Sequence, residues 1–151
     1  MSDTPIAQPI TILMVEDDPA DVRLAREAMK SKKMHVIMHD VPDGIEAMAF
    51  LRKEGVYSDM MRPDLILLDL NMPRMDGREV LAELVKDPKL KRIPVIVLST
   101  SSREEDILAA YDMNANCFIT KPVDWKQFKR VVELIQDFWL AVVKLPRDVH
   151  Q

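Results

Sequence analysis

Residues Asp64 to Gly77 read DLILLDLNMPRMDG. The run Leu65-Ile66-Leu67-Leu68 shows no apolar–polar alternation, so it reads as a strand covered on both faces. Yet it delivers the chain straight onto a carboxylate, Asp69. A charged side chain at the end of a dry strand needs a chemical reason.

Two other runs share that character: Thr11-Ile12-Leu13-Met14-Val15, and Val95-Ile96-Val97-Leu98 behind Pro94. Met34 to Asp40 and Asn116 to Ile119 supply two further strand candidates. In the first of these, His35, Ile37 and His39 alternate with Val36 and Met38, as on an edge strand with one wetter face. Between the strands apolar residues recur at helical spacing: Val22, Ala25 and Met29; Ile45, Met48 and Leu51; Val80, Leu81 and Leu84; Ile107, Leu108 and Tyr111; Phe128, Val131, Val132 and Ile135. Helix starts are expected at Asp18-Pro19, at Asp124 ahead of Trp125, and at Ser102, with Glu105 completing a capping box. About five strands alternating with about five helices argue for a mostly parallel sheet covered on both faces.

A chain of 151 residues suits one domain with a real core, expected over residues 10–145, between tails at 1–9 and 146–151. Lys plus Arg number 21 against 25 Asp plus Glu, and a net charge of -4 gives no basis for a nucleic-acid surface built on charge. The single cysteine, Cys117, fits a reducing compartment and reads as a small buried hydrophobe. With no long apolar span and a polar start carrying Asp3, neither a membrane segment nor a signal peptide is expected, which places the protein in the cytoplasm. Only 3 glycines occur, so a Gly-rich phosphate loop is excluded.

Ligands of open α/β sheets bind beyond the carboxyl ends of the strands. Those ends read Glu16-Asp17-Asp18, Asp69, Ser99-Thr100 and Lys121-Pro122. Carboxylates gathered there repel one another unless a cation is present. Oxygen ligands from Glu16, Asp17, Asp69 and a backbone carbonyl near Asn71 suit a hard ion, Mg²⁺, with Mn²⁺ as the alternative. Lys121 then adds a fixed positive charge and Ser99 a hydroxyl, so that the three together could receive the oxygens of a phosphoryl group carried by Asp69. Each residue also has a plainer reading. Asp18 caps a helix, Asp69 starts an Asx turn, Ser99 and Thr100 bond nearby backbone, and Lys121 is a surface lysine. His35 and His39 lack a third ligand of matching type and read as edge-strand surface.

The EDD cluster of Glu16 to Asp18, the DLNMPRMDG stretch holding Asp69, Ser99 and Lys121-Pro122 resemble, in this order, the receiver domains of two-component response regulators. The resemblance runs from about Ile10 to Ile135. It implies a flavodoxin-like (CheY-like) doubly wound sheet of five parallel strands with five helices, Asp69 as phosphoacceptor, Glu16 and Asp17 as the metal pair, Ser99 as switch hydroxyl and Lys121 as the phosphate-binding lysine. Phe118 falls at the switch aromatic position, and Lys121-Pro122 is expected to be a cis peptide. Asn71 and Ser101 flank the expected path of a hydrolytic water and are expected to set the lifetime of the phosphoryl group.

The whole chain looks like the small stand-alone regulators paired with bacterial phytochrome-type histidine kinases. Their function implies a sensor kinase donating to Asp69, and output through an unidentified downstream protein or through dimer exchange, with no nucleic acid or membrane involved. Where the last helix would stop, the chain continues from Phe138 to Pro146 as FWLAVVKLP, leaving Leu134, Phe138, Trp139 and Leu145 as a candidate homodimer surface on an extended last helix. Two rivals are weighed. A phosphatase of the haloacid dehalogenase kind needs an acid two residues after its aspartyl nucleophile, and Asn71 cannot protonate a leaving group. An interaction module that works without phosphorylation has no use for the intact acidic cluster.

Overall fold

A computed structural model describes residues 9–30, 35–140 and 146. The elements run β1 (Ile10–Val15), α1 (Pro19–Ala28), β2 (Val36–Val41), α2 (Gly44–Leu51), β3 (Leu65–Leu68), α3 (Gly77–Lys86), β4 (Val95–Ser99), α4 (Glu104–Asp112), β5 (Cys117–Thr120) and α5 (Trp125–Ile135). Short 3-10 turns sit at Gly55–Tyr57 and Leu90–Arg92, and α5 passes into a π-helical turn at Gln136–Leu140.

All strand pairs are parallel, in the order β2-β1-β3-β4-β5. The chain winds outward from β1 in one direction and from β3 in the other, so the switch point lies between β1 and β3. Every residue of β1, β3 and β4 is buried, and alternate side chains go to opposite faces. Leu13, Val15, Ile66, Leu68, Val95 and Val97 join a core with residues of α2, α3 and α4. Ile12, Met14, Leu65, Leu67, Ile96 and Leu98 join the opposite core with α1 and α5, around Ala25, Phe128 and Val132. The expected edge strand is β2, with His39 half-buried and its ring 5.4 Å from that of Phe50.

Asp18 caps α1 by accepting the Ala20 N–H at 2.9 Å, with Pro19 at the first helical position, and Asp124 caps α5 through the Lys126 N–H at 2.8 Å. The expected box at Ser102 does not form. Helix α4 starts at Glu104 after Arg103, which contributes no side-chain cap, and the Ser101 hydroxyl accepts the Arg103 N–H at 3.2 Å. Glu104, Glu105 and Asp106 in the first turn complement the helix dipole there. A capping box does occur at Asp76 and Glu79, where each side chain accepts the other's backbone N–H.

Two further expectations are corrected. No cis peptide bond occurs among the described residues, so Lys121-Pro122 is trans, the isomer favoured by roughly 0.5–1 kcal/mol before proline. Cys117 is half-buried rather than buried, because it lies on β5 at the sheet edge. The strand start at Met34, the helix extension over 141–145 including Leu145, and the tails at 1–8 and 147–151 lie outside the described residues.

Candidate functional site at the carboxyl ends of the strands

Parallel pairing of β1 with β3 sets Val15 beside Leu68, so both chains leave the sheet together and present Glu16, Asp17 and Asp69 at one edge. The Asp69 N–H donates to Val15 O at 3.0 Å and fixes this exit. Gly77, first residue of α3, lies against the same turn. A Cβ at Gly77 would meet Asp69 O at 2.3 Å and Leu70 Cα at 2.7 Å, so a larger residue would force the backbone around Asp69 to move.

Glu16 and Asp69 are buried while Asp17 is exposed, and one oxygen from each lies within 4.8 Å of the others. Asp69 Oδ1 accepts the Asn71 backbone N–H at 3.2 Å, and Glu16 Oε2 accepts that of Asp18 at 3.2 Å. Just past β5, Lys121 enters the cluster buried, 8 % exposed, held at its root by its own N–H donating to Ser99 O at 2.6 Å. Its Nζ donates to Glu16 Oε1 at 2.5 Å and to Asp21 Oδ2 at 2.9 Å, and stands 3.8 Å from Asp69 Oδ2.

Burial pushes the Glu16 carboxyl up to about 7; the hydrogen bond from Lys121 opposes the shift and the Asp69 charge adds to it. Burial also raises Asp69, against the Lys121 charge and the Asn71 N–H. For Lys121 burial acts in the other direction, but the bonds to Glu16 and Asp21 outweigh it and its pKa rises. The lysine therefore keeps its charge, and Glu16 is the member of the pair that takes up a proton. Buried carboxylates share a single ammonium here, which leaves the pocket short of positive charge. An oxygen-only donor set of this kind fits a hard divalent cation.

Ser99 is fully buried at the end of β4, and its Oγ accepts the Ser101 N–H at 3.1 Å. The Ser101 hydroxyl donates to Asp106 at 2.6 Å, and Asp106 also accepts from Arg78 of α3 at 2.8 Å, so this network joins the β4–α4 loop to α3. Those bonds, from the Ser101 hydroxyl first, hold the Asp106 carboxyl below the usual range. Phe118 is half-buried on β5, packs against the α2–α3–α4 core, and donates its backbone N–H to the Tyr111 hydroxyl at 3.1 Å. Of the proposed interface residues, Leu134 and Phe138 are exposed, whereas Trp139 is half-buried against the α1–α5 core with its ring edge-on to Phe138.

Asp21 and the Arg78–Asp106 pair are missing from the sequence reading. Asp21 lies in the first turn of α1, where an acidic residue reads from sequence as a partner of the helix dipole, so its bond to Lys121 had no separate local signal. Arg78 and Asp106 lie 28 residues apart, and nothing local links them.

A family model described as response regulator receiver domain matches residues 12–133. The chain is 49% identical over 138 residues to response regulator Rcp1 of Synechocystis sp. (strain ATCC 27184 / PCC 6803 / Kazusa), covering 91% of this chain and 94% of that one. Among solved structures it is similar to the phosphorylated cyanobacterial phytochrome response regulator RcpA, with TM-score 0.90, 51% identity and coverage of 93% and 100% of the two chains. The Mn²⁺-bound form of Rcp1 matches with TM-score 0.88, 48% identity and coverage of 92% and 100%.

Proposed function

This chain belongs to the response regulator receiver domain family, and from that premise we propose that it accepts a phosphoryl group on Asp69 from a phytochrome-type sensor histidine kinase and signals through protein contacts in the cytoplasm. The observation that carries this reading is the setting of Asp69. It is a buried carboxylate at the sheet's switch point, with Glu16 and Asp17 beside it and the Lys121 ammonium 3.8 Å away. Support for the kinase class comes from the likeness to RcpA, a phytochrome response regulator seen phosphorylated.

In the proposed transfer an Asp69 oxygen forms a bond to phosphorus as the P–N bond of phosphohistidine breaks, and the imidazole nitrogen keeps the electron pair. A divalent cation, Mg²⁺ or Mn²⁺, held by Glu16, Asp17, Asp69 and the Asn71 carbonyl, would screen the carboxylates and stabilise charge on the transferring oxygens. Lys121 binds a phosphoryl oxygen from the β5 side. The Ser99 hydroxyl leaves the Ser101 N–H to donate to the phosphoryl group, and β4 with its loop follows. Room then opens for Phe118 to turn inward, a movement driven by packing, since it has no hydroxyl. Asn71 and Ser101 set the lifetime of the acyl phosphate, and replacing both is expected to change the rate of phosphoryl loss. Leu134 and Phe138 form a homodimer surface, supported by the exposure of both.

Transfer of radiolabel from an autophosphorylated phytochrome-type kinase tests the reading. Label is expected to appear on this chain and to be absent with Asp69→Asn. Transfer that is indifferent to that substitution overturns it.

A further inference from the structure

Lys121 stands closer to Asp21 than to the proposed nucleophile: 2.9 Å against 3.8 Å. An ammonium has three N–H donors, and two are used by Glu16 and Asp21. The remaining one has no hydrogen bond to Asp69, since 3.8 Å is beyond hydrogen-bond reach. An acidic residue in the first turn of a helix is commonly a partner for the helix dipole. Asp21 does more than that, because its side chain is 19 % exposed and spends an oxygen on an ammonium that is 7 % exposed.

We propose that Asp21 is a positioning residue for phosphoryl transfer: it holds the Lys121 ammonium toward α1, keeping the Asp69 oxygen open to the incoming group and the third N–H available for it. The inference rests on Asp69 being the phosphoacceptor. With Asp21 neutral, the carboxylates left to Lys121 are Glu16 and Asp69. The ammonium then moves onto Asp69, and an oxygen tied up in that pair is a poorer nucleophile and a poorer cation ligand.

Acetyl phosphate is a suitable probe, because it removes any kinase contact. An Asp69 oxygen bonds to phosphorus, the bridging P–O bond breaks, and acetate leaves with the electron pair; no proton has to move. Uptake is followed by intact mass for the parent, Asp21→Asn and Asp69→Asn across a Mg²⁺ series, with thermal melting to check folding. The ammonium signal of Lys121 is recorded by ¹⁵N NMR in the metal-free proteins. Asp21→Asn is expected to melt within a few degrees of the parent, to shift the Lys121 ammonium signal as its partner changes from Asp21 to Asp69, and to take up phosphoryl about tenfold more slowly at saturating Mg²⁺, the size of one charge-assisted hydrogen bond. A parent-like maximal rate, or a parent-like Lys121 signal, overturns the proposal. A parent that carries label away from Asp69 overturns the phosphoacceptor reading instead, and the NMR comparison still decides whether Asp21 holds the lysine.

Discussion

Glu16, with Asp69 also raised beside it, contributes to the site's pH dependence. Its folded-state pKa of about 7 stands above the 4.5 of an unperturbed glutamate, so between those values the metal-free folded protein holds a proton that the unfolded chain has released. That contribution to metal-free stability is present at low pH and is lost as pH rises through about 7. A cation must displace the same proton, so Mg²⁺ affinity is expected to rise with pH and level off above about 7. Calorimetric titration with Mg²⁺ at pH 6 and pH 8 checks this: binding should be several-fold tighter at the higher pH, and the Glu16→Gln variant should lose most of the difference. Equal affinity at both values contradicts the assignment of the proton to Glu16. At this scale Glu16, Asp17, Asp69 and Lys121 were legible in sequence, since each lies within two residues of the end of an apolar run and a parallel sheet must gather such positions. The orientation of the Ser101 hydroxyl toward Asp106 was not, because adjacent serines look alike until the turn geometry selects one.

Between the strands and the helices, the fit of α3 against the turn after β3 decides where Asp69 points. The contact at Gly77 leaves no room for a Cβ beside Asp69 O, so Gly77→Ala is expected to destabilise the fold by roughly 1–3 kcal/mol in urea unfolding and to weaken Mg²⁺ binding. A variant with parent-like stability and metal affinity would show that the turn can yield. A second contact between elements is the Arg78–Asp106–Ser101 network. Arg78→Ala should speed amide hydrogen exchange at Ser101 and Arg103, leaving exchange in β1 and β3 unchanged; unaltered loop exchange rejects the network as a restraint. The strands and most helices followed from the apolar runs and from the Asp18 and Asp124 caps. The start of α4 was misplaced by one residue because Ser102 with Glu105 carries a capping-box pattern, whereas the turn brings the Ser101 hydroxyl to the Arg103 N–H instead. The trans Lys121-Pro122 bond belongs to the same class, since the two proline isomers differ by little and sequence alone does not choose between them.

For the whole molecule, the doubly wound order makes one edge of the sheet a meeting place for residues up to 105 positions apart, as in the bond from Lys121 to Glu16. Leu134 near the end of α5 and Phe138 in the π-helical turn that follows are exposed, so Leu134→Arg combined with Phe138→Arg is expected to reduce a concentration-dependent dimer in sedimentation at tens of micromolar. A parent that stays monomeric there, phosphorylated or not, rejects that surface. No helix among the described residues is long and apolar enough to cross a membrane. On the proposed function a covered acidic edge, relieved by a divalent cation and by Lys121, gains further negative charge at Asp69. Chemical reduction of the acyl phosphate followed by peptide mapping, after acetyl phosphate treatment with Mg²⁺ or with chelator, tests it most directly. A single modified residue, Asp69, is expected, with the modification lost in chelator. Modification at another residue, or uptake undiminished by chelator, contradicts it.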